Sequence, residues 1–265
     1  VYVDTGFMRK GETEEVREMF KEMGIELQVV DASDRFFSNL EGVTDPEEKR
    51  KVIGEQFIRV FEEEQSNCGA KFLVQGTIAP DWIESGGGER DVIKSHHNVG
   101  GLPEDVDLKI VEPLREFYKD EVRQIARELG IKSSERQPFP GPGLAVRVLG
   151  DLTRPRVEAC REACHIVETR LMEAAEEGIC DLPWQYFAAL LPVRSVGVHG
   201  DARVHGETVV VRAVTSLDGM SARYSPIPHD VLSAISTEIT NSLKGQVNRV
   251  VYDITHKPPG TIEWE

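Results

Sequence analysis

The groups best suited to chemistry crowd into Gln75 to Pro103, QGTIAPDWIESGGGERDVIKSHHNVGGLP. Asp81 and Glu84 stand three apart, so on a helical turn they face one way. Two such carboxylates can hold a magnesium–phosphate complex or orient lysines that neutralise phosphate; the plainer alternative is the acidic first turn of a short helix. Lys94, His96 and His97 follow in IKSHHNVGG. Adjacent histidines cannot share a helix face and no third ligand stands at zinc spacing, so a zinc site is not expected. In a glycine-flanked loop they can instead donate hydrogen bonds to phosphates once a lid closes, or simply make a polar surface loop.

Other candidates are scattered. Arg50 lies in DPEEKRK, a run that reads as solvated charge, and Phe57 falls on an apolar helix face that reads as core. Lys119 precedes the first turn of a helix, where a cation opposes the dipole and hints at a nearby anion. Cys160, Cys164 and His165 resemble part of a metal cluster, yet without a fourth ligand they read as thiols on a buried helix face. Asp201 in SVGVHGD either meets a ligand or caps a turn. Gln185 carries no signal of its own. Lys257 and Glu263 flank a proline-stiffened turn in HKPPGTIEWE, and a stiff tail loses little entropy when it clamps a ligand.

The elements that must position these groups are legible in the periodicity. VYVD, a glycine turn, a helix with Val16, Met19, Phe20 and Met23 at one-face spacing, and the strand ELQVVDA make a βαβ unit. Thr44 with Glu47 is the expected capping box of a long helix whose inward face is Ile53, Phe57, Val60 and Phe61. KFLV and KIVEP are strands on either side of the Gln75–Pro103 segment. An apolar-poor stretch of that length between two core strands is characteristic of a lid or binding loop. Tyr118 to Leu129 is a further amphipathic helix, with Val122, Ile125, Ala126 and Leu129 inward. The rigid run QPFPGPGLAVRV then marks a domain boundary. Beyond it are predicted a helix near Pro155 to Glu177, short strands at Tyr186–Leu191 and Ser195–Val198, the strand GETVVVRAV, a helix near Asp230 to Leu243 and the strand NRVVYDIT, an α+β pattern. The domains expected are 1–138 and 139–265.

Composition bounds the partners. With 31 basic against 46 acidic residues and a formal charge of −15, the chain lacks the basic footprint of a nucleic-acid binder. No apolar run approaches the length of a membrane-spanning helix, and there is no signal-peptide pattern. Four cysteines without CxxC spacing read as free thiols of a reducing compartment, so a cytoplasmic location is expected.

Taken together, VDTGFMRKGE, DPEEKRKVIG, QGTIAPDWIES, IKSHHNVGGLP, VEPLREFYKDEVR, PFPGPGLAVRV, SVGVHGD and YDITHKPPGTIEWE resemble the GMP synthetase family, in its ATP pyrophosphatase and dimerisation domains. The matching segments run in order over nearly the whole chain, and the form resembles the archaeal kind, whose glutamine amidotransferase is a separate subunit. The resemblance implies a parallel-sheet, adenine-nucleotide alpha-hydrolase-like α/β domain followed by a smaller α+β dimerisation domain. It implies that xanthosine monophosphate (XMP) attacks the α-phosphorus of ATP, with Mg2+, and that ammonia then displaces AMP to give GMP. By similarity, Val3 and Phe57 lie at the adenine, with Gly76 and Thr77 also on the ATP side, and Lys119 meets the pyrophosphate. Asp81, Glu84, Lys94, His96 and His97 belong to the lid. Arg50, Phe139, Pro142, Gly143, Gln185, Asp201, Lys257 and Glu263 bind XMP, within a homodimer in which one protomer completes its neighbour's site.

One family feature is expected upstream of Val1. The SGGVDS-type loop that cradles the ATP phosphates stands one helix before a VYVD-type strand, and Val1 opens inside that strand. The alternative reading is therefore a catalytically inactive dimerisation or nucleotide-binding remnant. A sibling such as an NAD synthetase is disfavoured, because it lacks a KPPGTIEWE-type clamp.

Overall fold

The computed structural model describes residues 1–79, 109–131, 136–217 and 219–265. The chain forms two compact units, Val1–Lys49 with Gln137–Glu265, and Arg50–Arg136. Its architecture is mixed α/β, with small parallel strand pairs and one larger, mainly antiparallel sheet.

In the first unit, β1 (Tyr2–Asp4) pairs parallel with β2 (Val29–Asp31), Val3 opposite Val30. Between them lies α1 (Glu12–Glu22). The apolar spacing of α1 is real, but its face is only partly covered: Val16, Met19 and Phe20 are half-buried and Met23 is exposed. A short helix not evident in the sequence, α2 (Ser33–Asn39), buries Phe36.

The long helix α3 is Pro46–Cys68. Its cap is not the expected Thr44–Glu47 box. Asp45 accepts the N–H of Glu48 at 3.0 Å, and proline sits at the first helical position, where its missing N–H costs nothing. Ile53 and Val60 are buried, while Phe57 and Phe61 are half-buried and stack with centroids 6.4 Å apart.

In the second unit β3 (Phe72–Val74) pairs parallel with β4 (Lys109–Val111), and α4 (Lys119–Glu128) follows. Leu129, expected inward, is exposed, because it falls past the last turn of α4.

The rest of the first unit is built on a sheet with β6 (Ala202–Thr215) at its centre. β5 (Gln185–His199) and β7 (Arg223–Tyr224) pair with it antiparallel, and β8 (Val247–Tyr252) pairs parallel. The two short strands expected within β5 are one strand with a register shift between Leu191 and Arg194; Pro192, which cannot donate to a ladder, sits in that break. The first half of β5 is wholly buried, whereas Val193, Val196 and Val198 on the second half are exposed. Helices α5 (Arg154–Glu176) and α6 (His229–Ser242) pack on the sheet and on each other. Their apolar stripes, including Val157, Val167, Leu171, Ile235 and Ile239, share the core with Leu190, Val209 and Val211, while Phe187, opposite Arg212 in the ladder, faces the other side of the sheet.

Tyr252 closes this sheet with its hydroxyl donated to the carbonyl of Ser225. Burial pushes its pKa well above the ordinary tyrosine range. An unfolded tyrosine titrates near ~10, so above that pH the unfolded chain releases a proton that the folded one keeps. The stabilisation is present below about pH 10 and is lost as pH rises. Urea unfolding between pH 9 and 11 is expected to show a falling stability that Tyr252→Phe flattens; identical slopes would refute this.

Candidate functional site

The C-terminal tail, which as a bare sequence would fray, is fastened by three buried cations from three different elements. Arg212 of β6 has a wholly buried side chain; its guanidinium donates to the carbonyls of Thr255 and Thr261 and stands 3.2 Å from the Asp253 carboxylate. Arg147 follows a 3-10 turn, Gly143–Val146, and grips Glu263 with two parallel bonds, Nε to Oε2 at 3.0 Å and Nη2 to Oε1 at 2.8 Å. Lys49, in the first turn of α3, donates to the carbonyl of Val148 at 2.8 Å and to the carboxylate of Glu265. Glu265 also accepts the N–H of Gly150 at 3.0 Å. Each carbonyl or carboxylate so paired is one that would be costly to bury alone.

The electrostatics follow from burial. Desolvation pulls the Lys49 ammonium below the ordinary lysine range, and the Glu265 carboxylate opposes it. For Arg147, burial works against the cation, and the paired Glu263 carboxylate overcomes it and raises its pKa. The guanidinium lies 5.0 Å from the Phe139 ring centroid and 4.2 Å from that of Phe187, so two aromatic faces hold its plane. Arg9 covers Phe139 from a second direction at 4.3 Å.

This arrangement brings together Phe139, Gln185 and Glu263. Gln185 is buried, and its Nε2 donates to Glu263 Oε1 at 2.7 Å. Lys257 sits nearby on the tail, its backbone bridging Ala222 and its Nζ donating to the Gly219 carbonyl at 2.8 Å. Pro142 and Gly143 belong to the same loop as Phe139. Gly143 is pressed against the chain itself, with Leu144 donating to the Phe7 carbonyl at 2.8 Å.

Asp201 does not join them within one chain. It lies exposed at the far tip of the β5–β6 hairpin, whereas Gln185 starts β5. Fourteen steps of strand put the two roughly 45 Å apart. A nucleotide cannot bridge that distance.

In the second unit, Gly76 and Thr77 follow the C-terminal end of β3, and Lys119 opens α4 after β4. Ligands of open α/β sheets bind at that edge of the strands. Arg50 and Phe57 are seven apart on α3, hence on one face. Asp81, Glu84, Lys94, His96 and His97 lie outside the described residues.

In the first unit, the carboxyl ends of β1 and β2 border a polar cleft of about 320 Å³ lined by Asp4, Thr13, Asp31, Arg154 and Arg161 among others. Val3 is buried on β1 beside it. Hydrogen bonds from the Ser33 hydroxyl and N–H hold Asp31 below the usual carboxylate range. Cys160 and Cys164 are buried thiols: Cys164 donates to the Ala188 carbonyl at 3.1 Å, and Cys160 is held protonated by its contact with Cys164 and by burial. His165 points away from them, exposed. Among the described residues no group of three or more His, Cys, Asp and Glu could hold a metal, and no helix is long and apolar enough to cross a membrane.

Sequence reasoning missed Lys49, Arg147 and Arg212. Only Arg147 and Arg212 left a trace, as charges interrupting the apolar runs LAVRV and VVVRAV.

The profile of the "GMP synthase C terminal domain" family matches residues 172–264. A glutamine-hydrolysing GMP synthase subunit of Thermoplasma volcanium is 54% identical over 265 residues, covering 100% of this chain and 84% of the relative. The proteins of the same name from Thermococcus kodakarensis and Halobacterium salinarum strain R1 are 58% and 59% identical over 268 residues, covering all of this chain and 84% and 83% of theirs.

Proposed function

Because the chain belongs to the family of these archaeal glutamine-hydrolysing GMP synthase subunits, we propose that it adenylates XMP and then aminates it. It is the ATP-pyrophosphatase component of GMP synthase, a ligase of purine biosynthesis that binds ATP, and the relatives' designation as one subunit implies a separate partner. In this reading the xanthine C2 oxygen attacks the α-phosphorus of ATP and pyrophosphate leaves. Ammonia delivered by a glutamine amidotransferase adds at C2, and AMP departs with the oxygen. Adenylation converts a poor leaving oxygen into a phosphate ester.

The observation that carries the XMP assignment is the anchored tail, which presents Lys257 and Glu263 from a segment tied at both ends. Gln185 and Phe139 complete that side, with Pro142 and Gly143 shaping the loop. Lys257 uses one of three donors on Gly219, which leaves a cation to meet an anionic nucleotide. Arg50 and a second copy's hairpin tip are assigned to the same nucleotide. The length of the β5–β6 arm explains the second copy: Asp201 serves a neighbour's site, and the exposed valines of β5 are the apolar contact of a homodimer. ATP is assigned to Val3, Phe57, Gly76, Thr77 and Lys119, in an adenine-nucleotide alpha-hydrolase-like fold, with Asp81, Glu84, Lys94, His96 and His97 in a lid. Mg2+ bound with ATP would offset phosphate charge. The domains 1–138 and 139–265, and a cytoplasmic location, belong to the same proposal.

The test is Lys257→Ala in the protein as its gene encodes it, assayed with ammonium by XMP-dependent AMP and pyrophosphate release. KM for XMP is expected to rise roughly tenfold or more while KM for ATP holds. An equal loss for both substrates would remove the clamp assignment, and no XMP-dependent release from the parent protein would sink the reaction itself.

A further inference from the structure

Glu263 is the tail's one carboxylate placed at the proposed nucleotide, and its hydrogen bonding can be counted. A carboxylate has about four acceptor positions and no donor. Oε1 takes Arg147 Nη2 and Gln185 Nε2, and Oε2 takes Arg147 Nε. One position on Oε2 is left. The side chain of Glu263 is 20% exposed while that of Arg147 is 1% exposed, so the remaining position opens outward and the guanidinium behind it does not.

Arg147 is an expensive way to hold a carboxylate. Its Nη1 is buried with no hydrogen-bond partner among the described residues. A buried ion pair is commonly no more stabilising than apolar side chains of similar volume, and an unpaired buried N–H worsens the balance. What an arginine supplies here that an apolar residue or a lysine cannot is orientation. Its planar fork fixes both carboxylate oxygens at once, and the rings of Phe139 and Phe187 fix the plane of the fork.

We infer that Arg147 is a positioning residue for the nucleotide base: it sets the rotation of the Glu263 carboxylate so that a single Oε2 acceptor faces a ring N–H donor of the bound oxopurine. This rests on Glu263 being an XMP ligand. Arg147 itself touches no substrate. The site therefore recognises a base presenting a protonated ring nitrogen where the acceptor points, and the discrimination comes from behind the ligand, through the fork. A lysine would keep the charge and lose the orientation.

The experiment compares Arg147→Lys, Glu263→Gln and the double variant in the protein as encoded, with thermal melts and with KM and kcat for XMP and ATP. Arg147→Lys is expected to raise KM for XMP roughly tenfold, with KM for ATP within about twofold. The double variant is expected to be no worse toward XMP than Glu263→Gln alone, because Arg147 acts only through that carboxylate. Multiplying effects in the double variant, or parallel loss of ATP and XMP affinity, would overturn the inference and leave a merely structural arginine. If Glu263→Gln itself leaves KM for XMP unchanged, the nucleotide assignment of Glu263 fails instead. Should Arg147→Lys not fold, Phe187→Leu removes one of the two faces that hold the guanidinium, at a residue with no assigned contact to the nucleotide. It is expected to raise KM for XMP severalfold with KM for ATP unchanged, and a change in neither would also overturn the inference.

Discussion

Gly143→Ala is expected to lower the melting temperature by roughly 10 °C, several times the effect of Gly178→Ala. Both glycines have left-handed backbone, φ 64° and 71°. That conformation alone costs an alanine about 1–2 kcal/mol. The surroundings separate them. A Cβ on Gly178 meets nothing within 4 Å, whereas one on Gly143 would stand 2.4 Å from the Phe7 carbonyl oxygen and 3.1 Å from its carbon.

Those neighbours are backbone, so no rotamer can yield. The chain from β1 must move, and the hydrogen bond from Leu144 to the same carbonyl must stretch. Overpacking of this kind adds about 1–3 kcal/mol, and the weakened bond about one more. For a protein of this size each kcal/mol corresponds to about 2–4 °C. Comparable melts for the two variants would show that the Phe7–Gly143 seam yields freely.

The same seam shows what the sequence could and could not reveal. Three prolines and two glycines between Pro138 and Gly143 announce a stiff segment, and it ends in a buried 3-10 turn, Gly143–Val146. Its continuation, Leu144 to Val148, is wholly buried among distant partners: Leu144 donates to the Phe7 carbonyl, more than a hundred residues earlier, and Arg147 accepts from Leu190. Local patterns fared well where the contact was local: the helices near 155–177 and 230–243 lie within a residue or two of α5 and α6. Pro192 divided β5 on paper, because its effect on the ladder is visible in sequence while the register shift that absorbs it is not.

The site divides along the same line. Lys257 and Glu263 could be singled out from a stiff turn in their own segment. Gln185 had no signal because its partner is 78 residues away. Lys49 was hidden more deeply still, in a run of six charges and one proline of which it alone is buried.

Lys49→Met carries the second large effect: a loss of about 3–5 kcal/mol, as expected when one member of a buried ion pair is deleted. The Lys49 side chain is 0% exposed and that of Glu265 8%, so the deletion strands a carboxylate. It also releases the Val148 and Ala145 carbonyls, the other two acceptors of the same ammonium. Glu265→Gln removes the stranded charge, and in the double variant it is expected to recover at least half of the loss. Urea unfolding of the four proteins in a double-mutant cycle measures the coupling. Additive effects would mean that the tail's last residue is held by Gly150 alone. A coupling of about 1 kcal/mol or more would establish that the first turn of α3 and the end of the chain are fastened to each other. The tail would then be anchored on both sides of Trp264, at Glu263 and at Glu265, by cations that solvent does not reach. That double anchorage is what lets a terminal segment hold a carboxylate in one orientation.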